Sequence, residues 1–215
     1  MKRILFNDKY CLTEAVLEGR KTQTRRILKP QPHYSNRGGI VWKGGAYGLD
    51  LWETMQGACA NFISGIRYDK DHNIPYHVGD VVAVSQSYKN AGLDAFKQLQ
   101  LDSPVAFGDT AGWKNKMFVK AKYMPHQIEI IRMELQHLQD ITNEECLREG
   151  IVGIIHEIEG KPVLRGYVRD SKHNSYCYAA ASPRDAYAYL IDKISGKGTW
   201  KSNPWVFKYD FRLIK

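Results

Sequence analysis

Gly19-Arg20-Lys21-Thr22-Gln23-Thr24-Arg25-Arg26 places four cations, two hydroxyls and one amide within eight residues. Cations beside hydroxyls and an amide suit the holding and orienting of an anion or a polar base. Lys21 and Thr24 stand three apart and share a face if the segment is helical; in a loop the spacing carries no geometry. In a strand, Arg25 and Arg26 point to opposite sides. Arg25 is then expected to reach a cleft, while Arg26 pairs with a surface acid. The plain structural alternative for the whole segment is an exposed basic turn.

A second candidate group follows an apolar run, Val81-Val82-Ala83-Val84. Gln86 could read the polar edge of a base, and Tyr88 could stack on it. The alternative is a strand-end amide and a core tyrosine. Tyr167, Lys172, Tyr176 and Tyr178 make a basic aromatic patch that suits either an RNA-contacting flap or a surface hairpin. Trp200, Trp205 and Phe207 read as core aromatics at strand spacing.

Other chemistries find less support. The seven histidines form no metal-ligand pattern, so no metal and no cofactor are expected. Cys11, Cys59, Cys146 and Cys177 match neither a zinc site nor a small disulfide scaffold, and read as reduced thiols. The 215 residues carry 31 Lys plus Arg against 23 Asp plus Glu, a formal charge of +8. That balance favours an anionic partner such as nucleic acid. No apolar run approaches a membrane span, and the N-terminal apolar run is too short for a secretory signal. The expected compartment is the cytoplasm.

The elements that must position these residues are short. Residues 3–7 and 25–28 read as strands around a helix at 13–18, with Thr13 as its N-cap and Gly19 as its stop. Residues 33–75 read as an insertion or elaborated hairpin containing a short strand at 39–43. Residues 78–80 form a tight turn before the strand at 81–85. A short helix is expected near 94–100, and strands at 116–120 and 127–135. The second of these slips its alternation between Ile130 and Met133, which suggests a bulge. Thr142 and Glu145 make a capping box for a helix ended by Gly150. Residues 152–180 read as a second insertion. Ser182-Pro183 opens a helix whose apolar stripe is Ala186, Tyr189, Leu190 and Ile194. Residues 205–213 alternate as a closing strand. The sum is an α+β chain, a small mixed β-barrel in one domain.

In this order the pieces resemble the ASCH family, a branch of the PUA-like fold. The match rests on Ile4–Asn7 with the Gly19–Arg26 segment, on Val78-Gly79-Asp80 with Gln86-Ser87-Tyr88, on Leu138–Thr142 with the helix to Gly150-Ile151, and on Gly196–Trp200 with Asn203–Val206. It looks most like the longer phage and prophage-associated members. The resemblance implies a β-barrel with helices at its openings and a cleft lined by the first segment. It implies RNA or a modified nucleoside as ligand, held by Lys21, Thr24, Arg25, Arg26, Gln86 and Tyr88. One branch of the family hydrolyses N4-acetylcytidine, and there the residues matching Lys21 and Thr24 act with a Glu after the strand. This chain has Gln86 at that place. An amide cannot exchange a proton near neutral pH, so binding without catalysis is the leading expectation. An amidohydrolase with Lys21 as nucleophile and a carboxylate such as Asp80 or Glu53 as base is the alternative. A protein-interaction module is a third.

Overall fold

The computed structural model describes residues 1–34, 40–42, 45–47, 74–102, 110–158, 161–168 and 180–214. It is a mixed α+β protein built on a five-stranded sheet. β1 (Lys2–Ile4) forms one edge. The first helix, α1 (Leu12–Leu17), leads into β2 (Gln23–Ile27) at the other edge. Between them lie β6 (Val81–Val84), β7 (Gln127–His137) and β10 (Trp205–Leu213), in the order β1-β6-β7-β10-β2. Only the β1–β6 pair is parallel.

The expected insertions carry strands outside this sheet. β3 (His33–Tyr34), β4 (Ile40–Trp42) and β5 (Gly45–Tyr47) pair with one another. β8 (Val152–Ile158) and β9 (Lys161–Val168) form an antiparallel pair. Lys172, Tyr176, Tyr178 and Glu53 lie outside the described residues.

β10 is central and buried from Val206 to Phe211. Its alternation separates two environments. Phe207, Tyr209 and Phe211 join the main core with Ile4, Val82, Ile128 and Ile130. Lys208 and Asp210, also buried, lie on the opposite face. There Lys208 is paired with Arg25, and Asp210 with Gln23. The register against β7 shifts so that Asp210 faces Arg132 and Phe211 faces Ile130. Ile131 is the extra residue and is half exposed, which is the bulge that the slipped alternation foretold.

Four expectations are corrected. Residues 116–120 are not a strand: Lys116–Phe118 is a 3-10 turn, because the Asn115 side chain accepts from the Met117 N–H and curls the backbone. Thr13 is inside α1 rather than its N-cap, its hydroxyl being committed to Asp8 and the Phe6 carbonyl. The helix near residue 94 follows a one-turn α2 (Tyr88–Ala91) and is α3 (Leu93–Asp102). The helix after Ser182, α5 (Pro183–Ser195), buries Ala186, Tyr187, Leu190 and Ile191, while Tyr189 and Ile194 face out. That stripe is turned by about half a turn's worth of residues from the expected one. The capping box does form, on α4 (Asn143–Arg148).

Candidate functional site

A cleft of about 560 Å³ opens beside β2. Lys21, Thr24, Arg25 and Arg26 all line it, with Phe6, Glu149 and Tyr187. The basic segment is therefore no exposed turn: Lys21 is 2% exposed. Its backbone is tied down on three sides. Lys21 N–H donates to Ala15 O at 2.8 Å, Thr22 N–H to Arg148 O at 3.0 Å, and Phe211 N–H to Thr22 O at 2.9 Å.

The carboxylate facing Lys21 comes from the C-terminal end of α4. Lys21 Nζ donates to Glu149 Oε2 at 2.6 Å and to the Glu149 carbonyl at 2.7 Å. A helix end leaves carbonyls without partners, and a cation there satisfies one and complements the helix dipole. Gly150 makes this approach fit. Its φ is +104°, and its Cα lies where an added Cβ would meet Leu12, Ala15 and the Lys21 Cβ at 3.4–3.7 Å.

Arg25 braces the same carboxylate. Its Nη1 donates to Glu149 Oε1 at 3.0 Å and to Gln23 Oε1 at 2.8 Å, and its Nη2 to Glu145 Oε2 at 2.6 Å. Lys208 reaches both Glu145 and Glu134. Gln23 in turn donates to Asp210, which also takes Arg148 at 2.8 Å. The Arg25 side chain is fully buried, so its guanidinium is spent on fixing protein carboxylates and is not free to bind a phosphate. Arg26 Nη2 donates to Leu5 O at 2.6 Å and its guanidinium stacks over Phe6. The surface acid expected for Arg26 is not its partner.

Burial disfavours charge on Lys21 and lowers its pKa, against the opposing pull of Glu149. Arg25 is pushed the other way: burial would lower it, but Glu149 and Glu145 outweigh burial. Burial pushes the Cys146 thiol up to about 12, so it is an unreactive core thiol.

Gln86 and Tyr88 are not in this cleft. Gln86 Oε1 contacts His126 Nδ1 at 2.8 Å and lines a separate hollow with Asp8, Glu14 and Asn90. Tyr88 is 2% exposed, packs in a second core cluster, and accepts from the Lys120 N–H at 3.0 Å. β6 carries both residues away from β2, because β7 and β10 stand between them in the sheet. Asp80 is a turn residue, pairing with Lys2 at 2.9 Å and accepting from the His77 N–H at 3.0 Å.

Glu149 and Tyr187 are the site residues that sequence reasoning missed. A signal for Glu149 existed: it lies one helical turn after the capping-box Glu145, on the same face, in a chain with surplus cations. Among the described residues, no group of three or more His, Cys, Asp or Glu is placed to hold a metal ion. No described helix is long and apolar enough to cross a membrane. Comparison with family models, characterised proteins and solved structures finds no match to this chain.

Proposed function

We propose that the cleft takes a nucleoside-sized ligand and hydrolyses an acyl amide on its base, with N4-acetylcytidine as the test substrate, on a fold of PUA-like type. The observation that carries the reading is the buried Lys21–Glu149 pair on the cleft wall beside Thr24. Gln86 was the ground for favouring binding without chemistry, and Glu149 removes it by giving Lys21 a carboxylate. The cleft volume suits a single nucleoside.

The chemistry asks for a base and a nucleophile. Lys21 acting as nucleophile would leave an acyl-lysine, itself an amide no easier to cleave than the substrate. Its lowered pKa suits a base instead. Lys21 takes a proton from the Thr24 hydroxyl or from water, and Glu149 stabilises the ammonium that forms. The attacking oxygen bonds to the acyl carbon, the C–N bond breaks, and the base nitrogen leaves carrying a proton. Water completes the reaction to acetate and cytidine.

The test is cytidine release from N4-acetylcytidine by wild type, Lys21→Ala and Gln86→Glu. Turnover by wild type, lowered about 10²-fold or more in Lys21→Ala and unchanged in Gln86→Glu, supports the reading. No release by wild type overturns it. Saturable, salt-sensitive nucleoside or RNA binding without release would return the cleft to a binding role.

A further inference from the structure

Tyr187 stands on the same cleft wall with no part in the steps above. It is 1% exposed and lines the cleft from α5. Its hydroxyl is buried and makes no hydrogen bond of ordinary length and angle. Glu149 is close enough to act on it electrostatically, but the two carboxylate oxygens are directed to Lys21 and Arg25. Buried hydroxyls normally have a partner, so this one is placed for a group that arrives with the ligand.

The ring is also held still. Trp200 meets it edge-on, with centroids 6.2 Å apart and planes at 81°. Trp200 is itself pinned, its backbone N–H donating to Asp192 Oδ1 at 2.8 Å and its ring lying under the Arg184 guanidinium. A fixed donor facing a cleft is the geometry that stabilises developing charge on an oxygen.

We propose that the Tyr187 hydroxyl donates a hydrogen bond to the acyl carbonyl oxygen of the bound ligand, a bond that strengthens as that oxygen gains charge. The inference rests on the hydrolase reading. Burial, reinforced by the Glu149 charge, holds the tyrosine well above its ordinary range, so the group remains a donor at neutral pH.

The test is Tyr187→Phe, assayed with N4-acetylcytidine and melted without ligand. Expected are a kcat about 10²-fold lower, a KM within about threefold, and a melting temperature no lower than wild type, because the hydroxyl gives up no bond. A merely structural tyrosine would lower the melting temperature and leave kcat alone. A kcat within twofold of wild type overturns the inference and leaves the hydrolase reading standing. If wild type itself releases no cytidine, the hydrolase reading fails separately. N4-acetylcytidine and cytidine are then titrated calorimetrically into both proteins. A Kd at least tenfold weaker in Tyr187→Phe for the acetylated ligand only supports the donor role. Equal affinities, or no binding by wild type, overturn it.

Discussion

The Glu145 carboxylate oxygen that accepts from the Thr142 backbone N–H at 3.2 Å also takes the Arg25 guanidinium at 2.6 Å. The capping box that starts α4 is therefore joined through Arg25 to the Glu149 carboxylate at the other end of the same helix. One six-residue helix is clamped at both ends by β2. This explains how a short helix, weak by itself, can hold a carboxylate in place against Lys21.

The clamp predicts the behaviour of Glu149→Gln. The amide has the same shape but leaves Lys21 without a buried counter-charge and weakens the Arg25 contact. Breaking a buried ion pair from one side costs about 3–5 kcal/mol. Denaturant unfolding should show a loss of that order, and Lys21→Met combined with Glu149→Gln should recover part of it. A loss under about 1 kcal/mol for Glu149→Gln would mean that the pair is not closed in solution.

Acid stability should carry the signature of Glu145. Burial would raise its pKa, but the Lys208 hydrogen bond and the Arg25 charge outweigh burial and hold it below 4.5. A carboxyl lowered on folding stabilises the fold fully above its unfolded value and loses that contribution as pH falls through the folded value. Urea midpoints should therefore be flat in this contribution above about pH 5 and fall below 4.5. Glu145→Gln should be less stable at neutral pH and show a shallower acid slope. An unchanged slope would detach Glu145 from the network.

Gly150→Ala tests the turn behind Glu149. The space an added Cβ would enter is in ordinary contact range, so the penalty comes from the φ of +104°. A non-glycine residue there is expected to cost about 1–3 kcal/mol. The same change shifts Glu149 relative to Lys21, so turnover should fall further than stability alone explains. Wild-type turnover in a destabilised Gly150→Ala would separate the turn from the site.

Local signals were legible in the sequence, and distant pairings were not. The capping box, the Ser182-Pro183 helix start and the β7 bulge each depend on residues within a few positions of one another. Lys21 and Thr24 were legible because an uncommon density of polar groups marked them. Glu149 was read only as the residue before a helix stop, since its partner lies 128 positions away. Tyr187 was displaced by Tyr189 in the expected stripe, because side-chain periodicity within α5 does not say which face the sheet will cover. Gln86 was placed in the site by motif order alone, and the two strands between β6 and β2 separate them.

The position of β10 has a consequence for how the chain acquires its charges' partners. Gln23 and Asp210 are 187 positions apart, and β10 is the described strand that pairs with β2. During synthesis at about 5–20 residues per second, the early segment waits on the order of 10–40 s for the strand that completes its surroundings. Until then Lys21 and Arg25 belong to an unpaired cationic ribbon, open to any polyanion nearby. The closing strand ends that exposure, so translation speed over the second half of the chain sets how long the nascent protein can be captured.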